Sequence, residues 1–346
     1  MTDNVGPDRS APNPTDTGLR KLPTDAEPVL TGYELSTDYC ATLSTLAARL
    51  RADALSEPIR FARQAHLASR ELPGEIATVL HDFEVSGGGL LLFSGAATGP
   101  LPNTPDTPMS QLTHKTSIAR QAAIISACVG HLVGFRCESA GRLCQTIVPV
   151  FEHRRAQMST GSVGLECHTE QCFNSISRPD FFTLACLRGD PTAVTYALSA
   201  QQIESGLSAK TIELLRENQF YTRVDDSFVR GGLDDRMRGP MPVLFGPRED
   251  PIVRYDEDLM IGATIAHTAA LGALRDLWQQ ARISVVLRPG DVLILDNSRV
   301  VHGRSPYYPQ YDGGDRWLAR WQVAKALTHT RFARAGSSPI IEAIGC

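Results

Sequence analysis

At 346 residues the chain is long enough for one large domain or two modest ones, and 42 % hydrophobic and 21 % charged residues is ordinary globular usage. A net charge of -4 argues against nucleic acid as a partner, because phosphate binding needs a basic face. No apolar stretch reaches the length of a membrane span, and the opening MTDNVGPDRS lacks the basic start and apolar run of a secretion signal.

Residues 1–30 are rich in Pro, Asp, Thr and Asn with few large apolar side chains, which predicts a disordered tail ahead of a single domain over 31–346. Helical spacing follows between residues 39 and 72. GGGLLLFSG (87–95) reads as a buried strand, SIARQAAIISACVGHLVGF (117–135) as one long apolar helix, and CQTIVPVF (144–151) as another strand. The second half changes rhythm. FFTLACLR (181–188), AVTYAL (193–198), QFYTRV (219–224), ISVVLRPGDVLILD (283–296) and WLARWQVA (317–324) read as strands between Pro, Gly and Asp turns, with one helix over 261–281. Many short strands behind a helical front end predict an α+β, mainly β fold: a β-sandwich or jelly roll buttressed by helices. The eight cysteines form no C-x-x-C pair, so the expectation is a reduced, cytoplasmic protein whose thiols are buried small hydrophobes.

Within GLECHTEQCF (164–173), His168 and Glu170 stand two residues apart. On a strand such residues share a face, with Cα atoms about 6.6 Å apart at roughly 3.3 Å per residue, and can converge on one ion. A solvent-facing polar strand would carry the same pattern. His302, in RPGDVLILDNSRVVHGRSPY (288–307), offers a third ligand. Two histidines and a carboxylate cap one face of iron(II) and leave positions open; the same set suits catalytic zinc. In DRWLARWQ (315–322), Arg316, Leu318 and Arg320 share a strand face. An inward arginine needs an anion, either Asp312 or Asp315 nearby or a bound carboxylate such as the far end of 2-oxoglutarate. In VRYDEDLM (253–260), alternate spacing lets Asp256 and Asp258 face one pocket, where they suit a guanidinium; acids ahead of the 261–281 helix would look the same.

HTE at 168–170, GDVLILDNSRVVHGRSPY at 290–307 and an arginine 18 residues after the distal histidine resemble the clavaminate synthase group of iron(II)/2-oxoglutarate oxygenases. GRLCQTIVPV (141–150), PDFFTLACLRGD (179–190) and YDGGDRW (311–317) fit the same order, and the likeness spans roughly residues 85–330. Within the group the chain looks most like the arginine β-hydroxylases of peptide-antibiotic pathways.

That resemblance implies a double-stranded β-helix, a cupin-like jelly roll, with His168, Glu170 and His302 as iron(II) ligands. It implies Arg320, helped by Thr195, as the anchor of 2-oxoglutarate, and O2 as the oxidant in hydroxylation of an unactivated C–H coupled to succinate formation. Related halogenases lack the carboxylate that Glu170 supplies, which favours hydroxylation. Glu138 is implied to meet the substrate's α-amino group, Ser159 and Arg316 its carboxylate, and Asp256 with Asp258 a guanidine. Asp225 or Asp226 would close over the substrate from a lid around 220–240. The expected substrate is a small molecule, a free amino acid, with L-arginine at C3 and also C4 first and asparagine the main alternative. A closed lid favours a free amino acid over a carrier-bound one. A zinc hydrolase and a metal-free jelly-roll binding protein are the rivals from other classes, and the sequence sets no oligomeric state.

Overall fold

In the computed structural model, which describes residues 18–26, 28–174 and 176–342, the alternation in WLARWQVA divides the molecule into layers. Trp317, Ala319, Trp321 and Val323 belong to one apolar cluster, Leu318 to another, and Arg320 faces a cavity. Each buried large apolar side chain contributes about 1.5–3 kcal/mol, so the two tryptophans alone fix the parity of this strand.

The strand Trp317–Ala324 is interior to a nine-stranded sheet. The sheet runs, in order, Leu19–Leu22, Leu30–Leu35, Leu90–Ser94, Val292–Asp296, Phe181–Arg188, Trp317–Ala324, His131–Phe135 and Ile340–Ile341, and Cys144–Ile147 also pairs with the Trp317–Ala324 strand. Helices Thr37–Ala48, Pro58–Ser69, Gly74–Ser86 and Ser117–Cys128 cover one face, packed on Phe181, Trp317 and Trp321. The other face meets a four-stranded sheet, in the order Ile283–Val286, Val194–Ser199, Val300–Arg304, Leu165–His168. Between the sheets lie Leu92, Phe182 and Leu318 from the large one and Ala197, Val285 and Val300 from the small one. The outer face of the small sheet packs through Cys167, Leu198 and Val301 on helices Ala209–Arg216 and Ile265–Ala281. Because Val301 and Cys167 point outward, His302 and His168, one residue on, point between the sheets.

Several sequence expectations change here. The helix expected over 117–135 stops at Cys128, and His131–Phe135 is a strand. Gly130 marks the break: a Cβ there would lie 2.7 Å from the Ala324 carbonyl oxygen, so the chain passes too close to the sheet to carry a side chain. The helix expected from residue 261 starts at Ile265, behind the N-cap Thr264, and Met260–Gly262 is a strand. Most of the tail expected over 1–30 lies outside the described residues; within it, Leu19–Leu22 forms an edge strand antiparallel to Leu30–Leu35, with Leu22 buried. The helices Gly74–Ser86, Ala200–Gly206 and Ala209–Arg216 were not anticipated. No helix is long and apolar enough to cross a membrane among the described residues.

Candidate active site

His168 ends the strand Leu165–His168, and His302 sits directly opposite it on Val300–Arg304. Glu170 lies past the strand, in a turn where Gln171 takes φ 53°, and that turn swings the carboxylate back toward the histidines. One ligand atom from each of His168, Glu170 and His302 lies within 4.8 Å of the others. His168 Nδ1 donates to the Glu166 carbonyl oxygen at 2.8 Å, which orients the ring and leaves Nε2 as the nitrogen for the cluster. The His302 ring packs on His168 and Phe182, with centroids 4.3 and 4.7 Å away. Burial, then the neighbouring His168, pushes His302 down to about 4, so it is neutral at pH 7. Burial opposes ionisation of Glu170, but Arg320 and the two histidines outweigh it and hold the carboxyl well below the usual range.

Arg320 is at the centre of the cavity wall. Its Nη1 donates to Glu170 Oε1 at 2.6 Å, its Nε to Gln145 Oε1 at 2.7 Å, and its Nη2 to Glu138 Oε1. Burial pushes the Glu138 carboxyl up against the opposing pull of Arg320. Neither Asp312 nor Asp315 pairs with these arginines; their carboxylates accept from Gly314 N and Gln310 N. Arg316 is buried on the same face, with its guanidinium 5.8 Å from the Tyr307 ring centre. The Arg304 guanidinium is 4.7 Å from the same ring centre, and Thr195 is its cross-strand partner.

The cavity holds about 280 Å³ and is lined by Glu138, Ser159, Asp225, Asp256 and Arg320 together with the HTE residues. Four of the expected substrate and cofactor residues do not line it. Asp258 is exposed: Asp256 Oδ1 accepts from the backbone of Asp258 at 3.1 Å and Leu259 at 2.9 Å, and this turn breaks the alternation that would have aligned both acids. Asp226 is 87 % exposed and pairs with Arg230, while Asp225 caps the helix Asp226–Arg230 and faces the cavity. Arg316 and Thr195 do not line this cavity. Three polar residues were missed. Gln145 and Gln322 bond to the Arg320–Glu138 pair, and Arg304 donates to the carbonyls of Ser159, Gly161 and Val163, holding the cavity-wall loop. Gln322 was within reach of the strand parity, two residues after Arg320.

The family model for the taurine catabolism dioxygenases, TauD and TfdA, matches residues 145–322, a stretch that contains all three clustered ligands. The chain belongs to this family. It is 36 % identical to the L-lysine 3-hydroxylase of Catenulispora acidiphila over 316 residues, covering 89 % of this chain and 88 % of the relative. Among solved structures it matches asparagine oxygenase in complex with Fe(II), 3-hydroxyasparagine and succinate at TM-score 0.84 and 29 % identity, covering 90 % of this chain and 99 % of that one. The non-heme iron oxygenase OrfP with Fe, succinate and (3S)-hydroxy-L-Arg matches at TM-score 0.80 and 27 % identity, covering 91 % and 99 %.

The protein is therefore an iron(II)- and 2-oxoglutarate-dependent dioxygenase, and the zinc-hydrolase and metal-free readings fall. The donor set fits the metal: two imidazoles and a carboxylate held in its ionised form make a cluster suited to iron(II) with positions left open.

Proposed function

We propose that the protein hydroxylates a free L-amino acid with a cationic side chain, at the carbon next to the α-carbon. The carrying observation is the pair Asp225 and Asp256, two carboxylates on one cavity with no ion-pair partner among the described residues. Burial, with Asp225 adding to it, pushes the Asp256 carboxyl up, and an entering cation relieves both effects. Asp256 spends Oδ1 on two backbone amides and Asp225 spends Oδ1 on Ser227 N, which leaves one free oxygen on each. Single oxygens converging from two acids suit a compact ammonium, whereas a guanidinium fork prefers both oxygens of one carboxylate. Lysine is the first reading. Arginine, expected from an Asp256–Asp258 pair that does not form, is the second, favoured by the likeness to the structure holding (3S)-hydroxy-L-Arg.

In this reading His168, Glu170 and His302 hold the metal, and the two arginines exchange the roles expected from the sequence. Arg320 touches Glu170, a candidate metal ligand, at 2.6 Å. The far carboxylate of 2-oxoglutarate stands the length of a carbon chain from the keto-acid end that meets the metal, so Arg320 is too near to hold it. Arg316 is farther along the same inward face, and we assign it, with Thr195, to that carboxylate. Arg320 and Ser159 then receive the amino acid's α-carboxylate, and Glu138 its α-ammonium. The head group so held lies beside Glu170, and Asp256 lies across the bridge from His168, so the carbon after Cα is aimed at the ligand cluster. Bound iron with 2-oxoglutarate and O2 supplies the oxidising power, releasing succinate and CO2; the chain binds, orients and excludes water. The segment 220–240, carrying Asp225, serves as the cover of the cavity, and the two facing sheets support a double-stranded β-helix.

Anaerobic reconstitution with iron(II) and 2-oxoglutarate, followed by O2 and a panel of free amino acids, tests this by mass spectrometry. One oxygen atom gained by lysine and matched by succinate is the expected result. Gain by arginine alone selects the second reading; gain only by neutral amino acids overturns the cationic side chain.

A further inference from the structure

Arg320 has no acceptor atom, so its Nε meets Gln145 only through the amide oxygen, at 2.7 Å. That orients the Gln145 amide, whose Nε2 donates to Gln322 Oε1 at 3.4 Å, and hence Gln322, whose Nε2 donates to Glu138 Oε2 at 3.1 Å. Arg320 Nη2 closes the ring by donating to Glu138 Oε1. All four side chains are buried, Gln322 to 1 % exposure. Both Glu138 oxygens thus accept from groups that can only donate, the pattern of a carboxylate and not of a protonated acid. The ring holds a positive and a negative charge side by side, each braced by a glutamine.

We infer that Gln145 and Gln322 are positioning residues that make this ring a receptor for a free zwitterionic head group. The inference rests on the reading above, in which Arg320 takes the α-carboxylate and Glu138 the α-ammonium. The amino acid enters by exchange. Its carboxylate replaces Glu138 on Arg320, its ammonium replaces Arg320 on Glu138, and the two glutamines keep hold of the partners being separated. A molecule with only one head charge opens the ion pair and leaves a buried charge uncompensated, which is strongly unfavourable. An amino acid tethered to a carrier as a thioester has lost its carboxylate and is excluded; so is a deaminated acid. Gln322 acts on the ammonium side, because it bonds to the Glu138 member of the charged pair.

The test compares L-lysine with lysinamide, which lacks the α-carboxylate, and with 6-aminohexanoate, which lacks the α-ammonium. The wild-type enzyme is expected to hydroxylate lysine alone. Gln322→Leu is expected to raise KM for lysine by about tenfold or more, the equivalent of one lost hydrogen bond to a charged group, with kcat and the KM for 2-oxoglutarate little changed. In both enzymes 6-aminohexanoate is expected not to compete with lysine, because it would strand the buried Glu138. A purely structural role would lower kcat and raise the KM for 2-oxoglutarate along with that for lysine, and that result overturns the inference, as does competition by 6-aminohexanoate or wild-type turnover of lysinamide at the rate of lysine. Should the leucine variant fail to fold, Glu138→Gln keeps the shape, removes the charge and carries the same comparison to the same two outcomes. If another amino acid is hydroxylated and lysine is not, the cationic reading fails while the ring is tested with that amino acid, its carboxamide and its deaminated analogue.

Discussion

The two ends of the cavity are built differently. At the proposed head-group end, Arg320 and Gln322 stand on the eight-residue strand Trp317–Ala324 and Gln145 on its neighbour, and the ring they close with Glu138 is made of side-chain-to-side-chain bonds. At the proposed side-chain end, Asp225 caps a five-residue helix and Asp256 is an isolated bridge residue leading into a turn, and both accept from backbone amides. On the proposed reading, a feature common to all α-amino acids is met largely from core strands, with Glu138 reaching in from a turn, and the feature that differs between them is met from turns alone. Loops accept substitution and insertion more readily than core strands, so the fold can change which amino acid it accepts without rebuilding the end that holds the head group.

Loss of the shared centre should erase the difference between the ends: Glu170→Ala and His302→Ala are expected to abolish turnover of every amino acid, with iron(II) binding lost in anaerobic calorimetry. Arg320→Ala comes next. It should lower kcat/KM on the order of 10³-fold for all accepted amino acids alike, since it strands a buried Glu138, and leave the KM for 2-oxoglutarate within about threefold. Arg316→Ala should do the reverse, and steady-state kinetics with each substrate varied would expose a wrong assignment of the pair. Asp256→Asn is expected to be selective, lowering kcat/KM about ten- to a hundredfold for lysine while sparing neutral amino acids; a uniform loss across a panel would mean that the loop end is not where side chains are told apart. The smallest effect should come from Asp258→Asn, within about twofold on any substrate, because an exposed carboxylate outside the cavity contributes little.

Much of the site was legible because it depends on residue type and parity. The types in HTE, a second histidine on a strand and inward arginines in DRWLARWQ can all be read without coordinates, and the strand Trp317–Ala324 forms over the residues its alternation indicates. Parity could not separate Arg316 from Arg320. Both face inward, and only the register of Trp317–Ala324 against Phe181–Arg188 and Cys144–Ile147 decides which one reaches Glu170. Asp258 was misplaced for a local reason: Asp256 accepts its own chain's amides two and three residues on, a turn that spacing alone does not reveal. Gly130 likewise ended an apolar helical pattern because of a carbonyl on a strand far along the chain.

The alternation in Trp317–Ala324 also has a consequence for how such a sequence can change over time. Each residue there is committed to one of two opposite faces, with Trp317 and Trp321 among the helices on one, and Leu318 between the sheets and Arg320 beside the His168–Glu170–His302 cluster on the other. Point substitutions at 318, 319 or 323 exchange one apolar group for another and are locally survivable. A single-residue insertion or deletion between Trp317 and Arg320 would turn Arg320 into the helical core and Trp321 toward the cavity, removing stability and activity in one event. Lineages should therefore diverge here by replacement alone and keep their length changes for the loops around Asp225 and Asp256.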